Sequence, residues 1–376
     1  MQTEILIIGG GVAGCAAAIH LARRGRSVTL IEREPAPRHS VCGEFLSAEA
    51  LEELDLLGIN VFSLGAAPIH FMRIVGTGRV AEAALPFPAA SLTRKTLSSA
   101  LLSAAADQGA SVMCGRRVES LQRTAASQWQ VTLNDGSTYD ARTVFLATGK
   151  HDLRGYSRPQ ISRSWLAFKM YFQLSPWQAA QLTPATELVL FRGGYAGLQC
   201  VEGGMANLCC AVKRQHLSGG EGRWESLLSS LQQSCPHLAM RLAGATVLLP
   251  KPITISPIPY GFLRQHAEEG IYCIGDQAAV IPSFTGDGIS IALRTAGAAA
   301  AALLAGESAL FFQQRLHQAM RMQMRCAGII AACLHHTLAR RVVPHGMHWW
   351  PELARLSARL TRVTIPSTRH TGKPAS

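Results

Sequence analysis

An α/β fold organised on a Rossmann-type dinucleotide-binding sheet, interleaved with a β-rich second domain and followed by a C-terminal helical segment, is what the sequence predicts. Three observations carry that prediction. In Glu4 to Glu32, EILIIGGGVAGCAAAIHLARRGRSVTLIE, an apolar strand, a glycine turn, an Ala-rich helix, a second apolar strand and an acid follow one another. Two later apolar runs, Thr143 to Ala147 and Gly270 to Ile274, deliver the chain to Thr148-Gly149 and to Gly275-Asp276. Between them, Arg163 to Phe172 and Glu187 to Val212 alternate apolar and polar residues with a period of two, the pattern of strands with two different faces.

Each part of the first unit has a physical role. Ile5 to Ile8 suits a parallel strand buried on both faces, and Gly9 to Gly14 spells G-x-G-x-x-G directly after it. Gly9 serves the tight turn, Gly11 leaves room for a pyrophosphate, and Gly14 lets the following helix lie close to the sheet. That helix, Val12 to Arg24, points free N–H groups and its positive dipole end at the turn, which suits a diphosphate. Glu32 ends the second strand, Ser27 to Ile31, where a carboxylate accepts from a ribose hydroxyl and disfavours a 2′-phosphate. The ligand expected is FAD or NAD rather than NADP.

The remaining elements follow in order. Ser47 is placed to cap a helix, Ala48 to Leu57, closed by Gly58. Residues 61 to 90 read as strands of a second sheet, and Ser91-Leu92-Thr93-Arg94 leads into a helix, Lys95 to Gln108, stopped by Gly109. Gln130 to Leu133 and Thr138 to Ala141 flank Asn134-Asp135-Gly136, a strong hairpin turn. A helix spans Trp224 to Ser234, and another, Ile289 to Leu304, follows Pro282 to Gly288. Residues 1–60, 91–160 and 265–305 are thus assigned to a discontinuous dinucleotide domain, and 61–90 and 161–264 to a β-rich substrate domain. A basic helical segment is expected over 306–365, with a disordered tail over 366–376.

Composition narrows the function classes. At 48% hydrophobic and 16% charged residues, the chain is built to bury a core. Residues 301–376 hold ten Lys and Arg against two acids, so +8 of the net +12 sits there. No basic face interleaved with aromatics marks a nucleic-acid module. A basic tail suits a solvated helix or a peripheral contact with an anionic membrane; Trp349-Trp350 either anchors that contact or, on the plainer reading, pins the tail to the protein's own body. Ten cysteines without C-x-x-C spacing indicate reduced thiols in the cytoplasm, and no metal site is expected from His335-His336 or His345-x-x-His348. The chain opens directly into its first strand, so no leader is expected, and with no run of about eighteen apolar residues no membrane-spanning helix is expected either.

These pieces, in this order, resemble FAD-dependent oxidoreductases of the para-hydroxybenzoate hydroxylase superfamily, whose FAD domain is glutathione-reductase-like. Val41-Cys42-Gly43 and Pro282…Thr285-Gly286-Asp287-Gly288-Ile289 look closest to the geranylgeranyl-reductase and FixC-like branch. The likeness covers residues 1 to 305. It implies that Gly9, Gly11 and Gly14 hold the FAD pyrophosphate, Glu32 the adenosine ribose, and Arg94 the phosphates or flavin edge. Asp276, after Gly275, would accept from the ribityl chain. Gly286, Gly288 and Ile289, at the start of a helix, would aim N–H groups at the flavin, with Cys42, Gly43 and Gly149 nearby.

The same likeness implies a monooxygenase acting through a C4a-hydroperoxide on an aromatic or lipophilic small molecule, with NAD(P)H or a partner reductase as electron donor. A reductase of carbon–carbon double bonds is the alternative, and Cys42 is then the candidate catalytic residue; a small buried thiol before a turn is the plainer reading. Flavin halogenation and non-catalytic flavin binding are further alternatives, although the W-x-W-x-I-P run of tryptophan halogenases is missing. Aromatic hydroxylases of this superfamily carry Asp-Gly where this chain has Thr148-Gly149, which predicts poor direct reduction by NAD(P)H. Gln277 stands where many of them have alanine. Tyr195 and Tyr260 fall in segments of the substrate domain, where they could orient a substrate.

Overall fold

The computed structural model describes residues 1–76, 79–125, 128–158, 164–217 and 223–334. The expectations for His335, His336, His345, His348, Trp349, Trp350 and the tail past Pro366 concern positions outside the described residues.

Two sheets organise the chain. In the first, Ser111–Cys114, Val28–Glu32, Gln2–Ile8 and Thr138–Leu146 run parallel in that spatial order, and Ile271–Cys273 pairs parallel with the end of Thr138–Leu146. Ile5, Leu6 and Ile7 are wholly buried, as strands covered on both faces must be. The helix Val12–Ala22 packs on one face of this sheet with Gly288–Leu304, and the two share a core of small residues. Alanine at Ala16, Ala17, Ala299 and Ala300 allows that close approach.

Trp129–Leu133 and Val118–Arg123 extend the first sheet antiparallel. The sequence suggests a hairpin arm ending at Ala141 and a separate strand from Thr143. The chain instead runs as one strand, Thr138–Leu146. Its first half pairs with Trp129–Leu133 while Asp140 to Leu146 pair with Gln2–Ile8, and nothing between Ala141 and Thr143 breaks the extended backbone.

The second sheet has the order Thr246–Val247, Trp165–Gln173, Met205–Lys213, Gly194–Cys200, Ala185–Phe191, Ala67–Gly76, Arg79–Ser91, Phe45–Leu46, with Ile253–Ile255 also on Trp165–Gln173. Phe45–Leu46 lies early in the chain yet pairs with Ser91 and Ala90 of this sheet, tying it to the first domain's loops. On one face, Phe168, Met170 and Phe172 pack on Trp224, Leu227 and Leu231 of the helix Arg223–Ser234 and on Leu238 of Pro236–Arg241. The opposite face carries cross-strand pairs Ala167–Ala211, Lys169–Cys209 and Tyr171–Asn207. That face turns toward the first sheet.

The 26-residue helix Ala309–Leu334 closes the described chain, with Phe312 against Tyr272 at 5.6 Å between ring centroids. No helix among the described residues is long and apolar enough to cross a membrane.

Candidate functional site

A cavity of about 710 Å³ opens between the two sheets, a size suited to a large organic ligand. Of the residues singled out in the sequence, Gly9, Gly11, Glu32, Cys42, Gly43, Arg94, Gly149, Gly275, Asp276, Gly286, Gly288 and Ile289 all line it. Gly14 does not. Its position is explained by packing, since a Cβ there would stand 1.8 Å from the Gly9 carbonyl oxygen.

At the dinucleotide end, Gly9 adopts φ +107° and passes under Ala147, whose carbonyl oxygen would be 2.5 Å from any Cβ. Gly11 precedes the helix, and a Cβ there would meet nothing within 4 Å; the same holds for Gly43, Gly149 and Gly288. The Glu32 carboxylate accepts from the Gly10 N–H at 2.6 Å and the Glu34 N–H at 2.9 Å, which fixes it at the strand end.

The loop after Thr138–Leu146 forms a second wall. Buried Gln277 and Arg158 hold it, Arg158 donating to the Lys150 carbonyl at 2.6 Å and the Asp276 carbonyl at 3.0 Å and pairing with Asp152 at 2.7 Å. Lys150 Nζ meets Asp276 Oδ2 at 3.2 Å, and that carboxylate raises the lysine's pKa. Burial lowers the pKa of His151, with help from Arg33, Arg38 and Lys150, so it is neutral near pH 7.

Where Gly286 passes Phe45, a Cβ would sit 2.7 Å from that ring, and the backbone takes φ +76°. The helix Gly288–Leu304 starts directly afterwards, with its N-terminal dipole end at the cavity.

The third wall is the second sheet, and it holds groups the sequence reading did not single out. Glu44, wholly buried at φ +63°, places Oε1 against Lys169 Nζ, 2.7 Å from Tyr171 Oη and 2.7 Å from the Arg94 N–H. Lys169 is also wholly buried, donates to the Ser40 carbonyl and stands 4.6 Å from the centre of the Tyr171 ring. Burial raises the Glu44 pKa and Lys169 opposes it; the Tyr171 phenol is pushed up by burial and by Glu44. Asn207 Nδ2 donates to the carbonyls of Cys42 and Gly43 at 3.2 and 3.0 Å. Together these contacts clamp the Cys42 loop to the sheet, and the Cys42 sulfur accepts from the Glu44 N–H at 3.3 Å. A lysine within the apolar run Trp165 to Phe172 was the available signal.

Farther along, Ala167, Ala211, Ile255, Ile258 and Val280 give the cavity an apolar surface of small and branched side chains. Tyr260 and Ser283 are its polar features there. Ser283 Oγ lies 2.7 Å from both Tyr195 Oη and Tyr260 Oη. Burial raises the pKa of both phenols, so they remain neutral hydrogen-bonding groups. Trp165 frames them, with its ring centroid 5.7 Å from that of Tyr260.

Residues 4–59 match the family model described as FAD dependent oxidoreductase. The menaquinone reductase of Mycolicibacterium smegmatis is 26% identical over 326 residues, covering 81% of this chain and 77% of that protein. Squalene monooxygenase of Rattus norvegicus is 39% identical over 87 residues, 23% of this chain and 15% of that one. Among solved structures, P. aeruginosa PqsL in complex with 2-aminobenzoylacetate superimposes with TM-score 0.75 at 20% identity, over 92% of this chain and 100% of that one. The flavin-dependent brominase Bmp2 gives TM-score 0.80 at 17% identity, over 97% and 94%.

Fold, cavity and family match define the class: an FAD-dependent oxidoreductase. The residues present fit that cofactor. Gly11, Gly43, Gly149 and Gly288 leave open space along the cavity wall, and Arg94 Nε is buried without a hydrogen-bond partner where an anionic group would satisfy it.

Proposed function

We propose that the protein is a flavin monooxygenase acting on a flat, lipophilic ring compound that carries an oxygen substituent. The observation that supports this reading most directly is the continuity of the cavity, from the dinucleotide glycines to the apolar surface of Ala167, Ala211, Ile255 and Ile258. Small side chains there leave a shallow face for a ring. Ser283, backed by Tyr195 and Tyr260, can donate to the ring's oxygen, and the apolar surround excludes water from the reacting atoms. Bound FAD supplies the redox chemistry. Gly9, Gly11, Glu32, Arg94, Asp276 and the Gly286 to Ile289 turn are the residues proposed to hold it, with Gly14 packing the helix close to the Gly9 turn. The boundaries of the FAD domain and the substrate domain are proposed as the sequence divides them.

A second reading, reduction of a carbon–carbon double bond in the manner of the geranylgeranyl-reductase branch, is favoured by a specific observation. The menaquinone reductase likeness extends over 81% of the chain, and Cys42 lies on the cavity wall beside the loop clamped by Asn207. Cys42 would then stand near the site of proton transfer.

One experiment separates the two. The purified protein is reduced and offered a panel of naphthols and isoprenylated naphthoquinones, with oxygen uptake and product mass recorded. Oxygen uptake with one added oxygen atom supports the monooxygenase. Two added hydrogens that remain after the ring is reoxidised to the quinone, with no added oxygen atom, support the reductase and reject the first reading. The electron donor, NAD(P)H or a partner reductase, and a peripheral membrane contact through the C-terminal helix belong to the same proposal.

A further inference from the structure

Two polar atoms in the cavity wall are buried without a hydrogen-bond partner, and they carry opposite charge. One is Arg94 Nε and the other is Glu44 Oε2. They belong to neighbouring groups, because the Arg94 backbone N–H donates to the other oxygen of the same carboxylate at 2.7 Å. Oε1 is fully engaged, taking Lys169, Tyr171 and Arg94, whereas Oε2 takes nothing. A carboxylate with no exposed surface and one oxygen left over needs a donor from outside the chain.

The surroundings hold this orphan oxygen in place. Glu44 keeps a backbone conformation that only a minority of non-glycine residues adopt, and Lys169 fixes the carboxylate from the far side. A ligand that satisfies both orphans must offer a donor to Glu44 and an acceptor to Arg94. A polyol phosphate has those two groups in sequence.

We infer that Glu44 is a cofactor-binding residue, its Oε2 accepting from a ribityl hydroxyl of FAD while Arg94 Nε donates to the adjoining phosphate. This inference rests on the assignment of FAD to the cavity and adds a residue to it. Lys169 and Tyr171 are positioning residues: they hold Oε1 so that Oε2 faces the ligand.

The test measures binding to the full-length apoprotein by quenching of flavin fluorescence. Glu44→Gln keeps the shape and removes the charged acceptor, so FAD affinity should fall about tenfold, as for loss of a hydrogen bond to a charged group. Affinity for lumiflavin, which has no ribityl chain, should not change. Tyr171→Phe, which removes one of the three donors to Oε1 and the contact with His39, should weaken FAD binding by less than Glu44→Gln does and leave lumiflavin binding unchanged, and melting of each apoprotein reports on folding. If Glu44→Gln fails to fold, the charge-neutral pair Glu44→Gln with Lys169→Met takes its place. Unchanged FAD affinity in a folded Glu44 variant, or an equal loss for lumiflavin, would overturn the inference and leave FAD binding intact. Failure of the parent apoprotein to take up FAD would overturn the cofactor assignment itself, and this inference with it.

Discussion

Gln277 holds Thr148: the buried side-chain amide donates to Thr148 Oγ1 at 2.9 Å, and to the carbonyls of Gly149 and His151 at 3.0 Å each. One residue after Asp276 thereby sets the loop that ends the central strand of the first sheet. Gln277→Leu would leave the Gly149 carbonyl without its donor and the His151 carbonyl with Thr148 Oγ1 alone, at a cost of about 1–3 kcal/mol for a buried polar group left unpaired. The expected result is a lower apoprotein melting temperature together with weaker FAD retention. Equal melting curves for parent and variant would show that the loop holds itself.

Asp276 faces Lys150 at 3.2 Å and lines the cavity where a ribityl chain would pass. Asp276→Ala should weaken FAD binding by roughly 1.5–3 kcal/mol, the worth of a charge-assisted hydrogen bond. It should also lower the Lys150 pKa, because Asp276 is the main cause of its raised value. Titration of the lysine by NMR in Asp276→Asn checks the second effect; an unmoved titration would mean the pair does not form in solution.

The Thr148-Gly149 pair bears on the electron donor. Thr148 Oγ1 donates to the His151 carbonyl at 2.6 Å and no acid stands at this position. Reduction of the bound flavin by NADPH or NADH alone should therefore be slow, and stopped-flow absorbance measures it. Bleaching within milliseconds would reject the expectation.

Much of the cofactor end was legible because its signals are local. Strand, glycine turn, helix and acid lie within Glu4 to Glu32, and Asn134-Asp135-Gly136 marks its hairpin without help from the rest of the chain. The cavity wall built by the second sheet and the Cys42 loop was not. Glu44, Lys169, Tyr171 and Asn207 come from three separated stretches, and only pairing of Trp165–Gln173 with Met205–Lys213 sets Lys169 and Tyr171 on the face that meets the Cys42 loop. The left-handed backbone of Glu44 gave no warning, since glycine or asparagine is the usual marker. Likewise Phe45–Leu46 is too short to read as a strand until Ser91 and Ala90 lie beside it.

A second buried carboxylate predicts the acid stability. Glu187 lies within 2.9 Å of His237, 2.9 Å of Arg241 and 3.2 Å of Arg73. Burial alone would raise its pKa, but His237 and Arg241 bring it below the ordinary carboxylate value. A depressed folded-state pKa contributes stability that is present above the unfolded value, about 4.3, and lost as pH falls through the folded one. Glu187→Gln should cost about 3–5 kcal/mol at neutral pH, because the largely buried Arg241 loses its counter-charge. Urea melts at pH 7 and pH 4 check this: the gap between parent and variant should narrow at the lower pH. A constant gap would mean that Glu187 is not the group that titrates.

The last prediction concerns the helix Ala309–Leu334. Phe311, Met322 and Ile329 are 59%, 61% and 65% exposed. Spacings of eleven and seven residues set them within about 20° of one another around the helix. Arg321 and Arg325 are exposed next to Met322, and +8 of the chain's net +12 falls in residues 301–376. An apolar stripe beside basic side chains complements the interface of an anionic bilayer, where each Lys or Arg near the surface contributes about 1 kcal/mol. A lipophilic substrate could then enter the cavity from the membrane. The full-length protein should cosediment with vesicles containing phosphatidylglycerol, more so as the anionic fraction rises and less so with added salt. Replacing Phe311, Met322 and Ile329 by serine should reduce binding without lowering the melting temperature, since none of the three is buried. Removal of residues after Val343 should weaken binding further if the remaining basic residues take part. Should the parent stay in the supernatant at low salt with fully anionic vesicles, the stripe has no membrane role and the substrate must arrive through water.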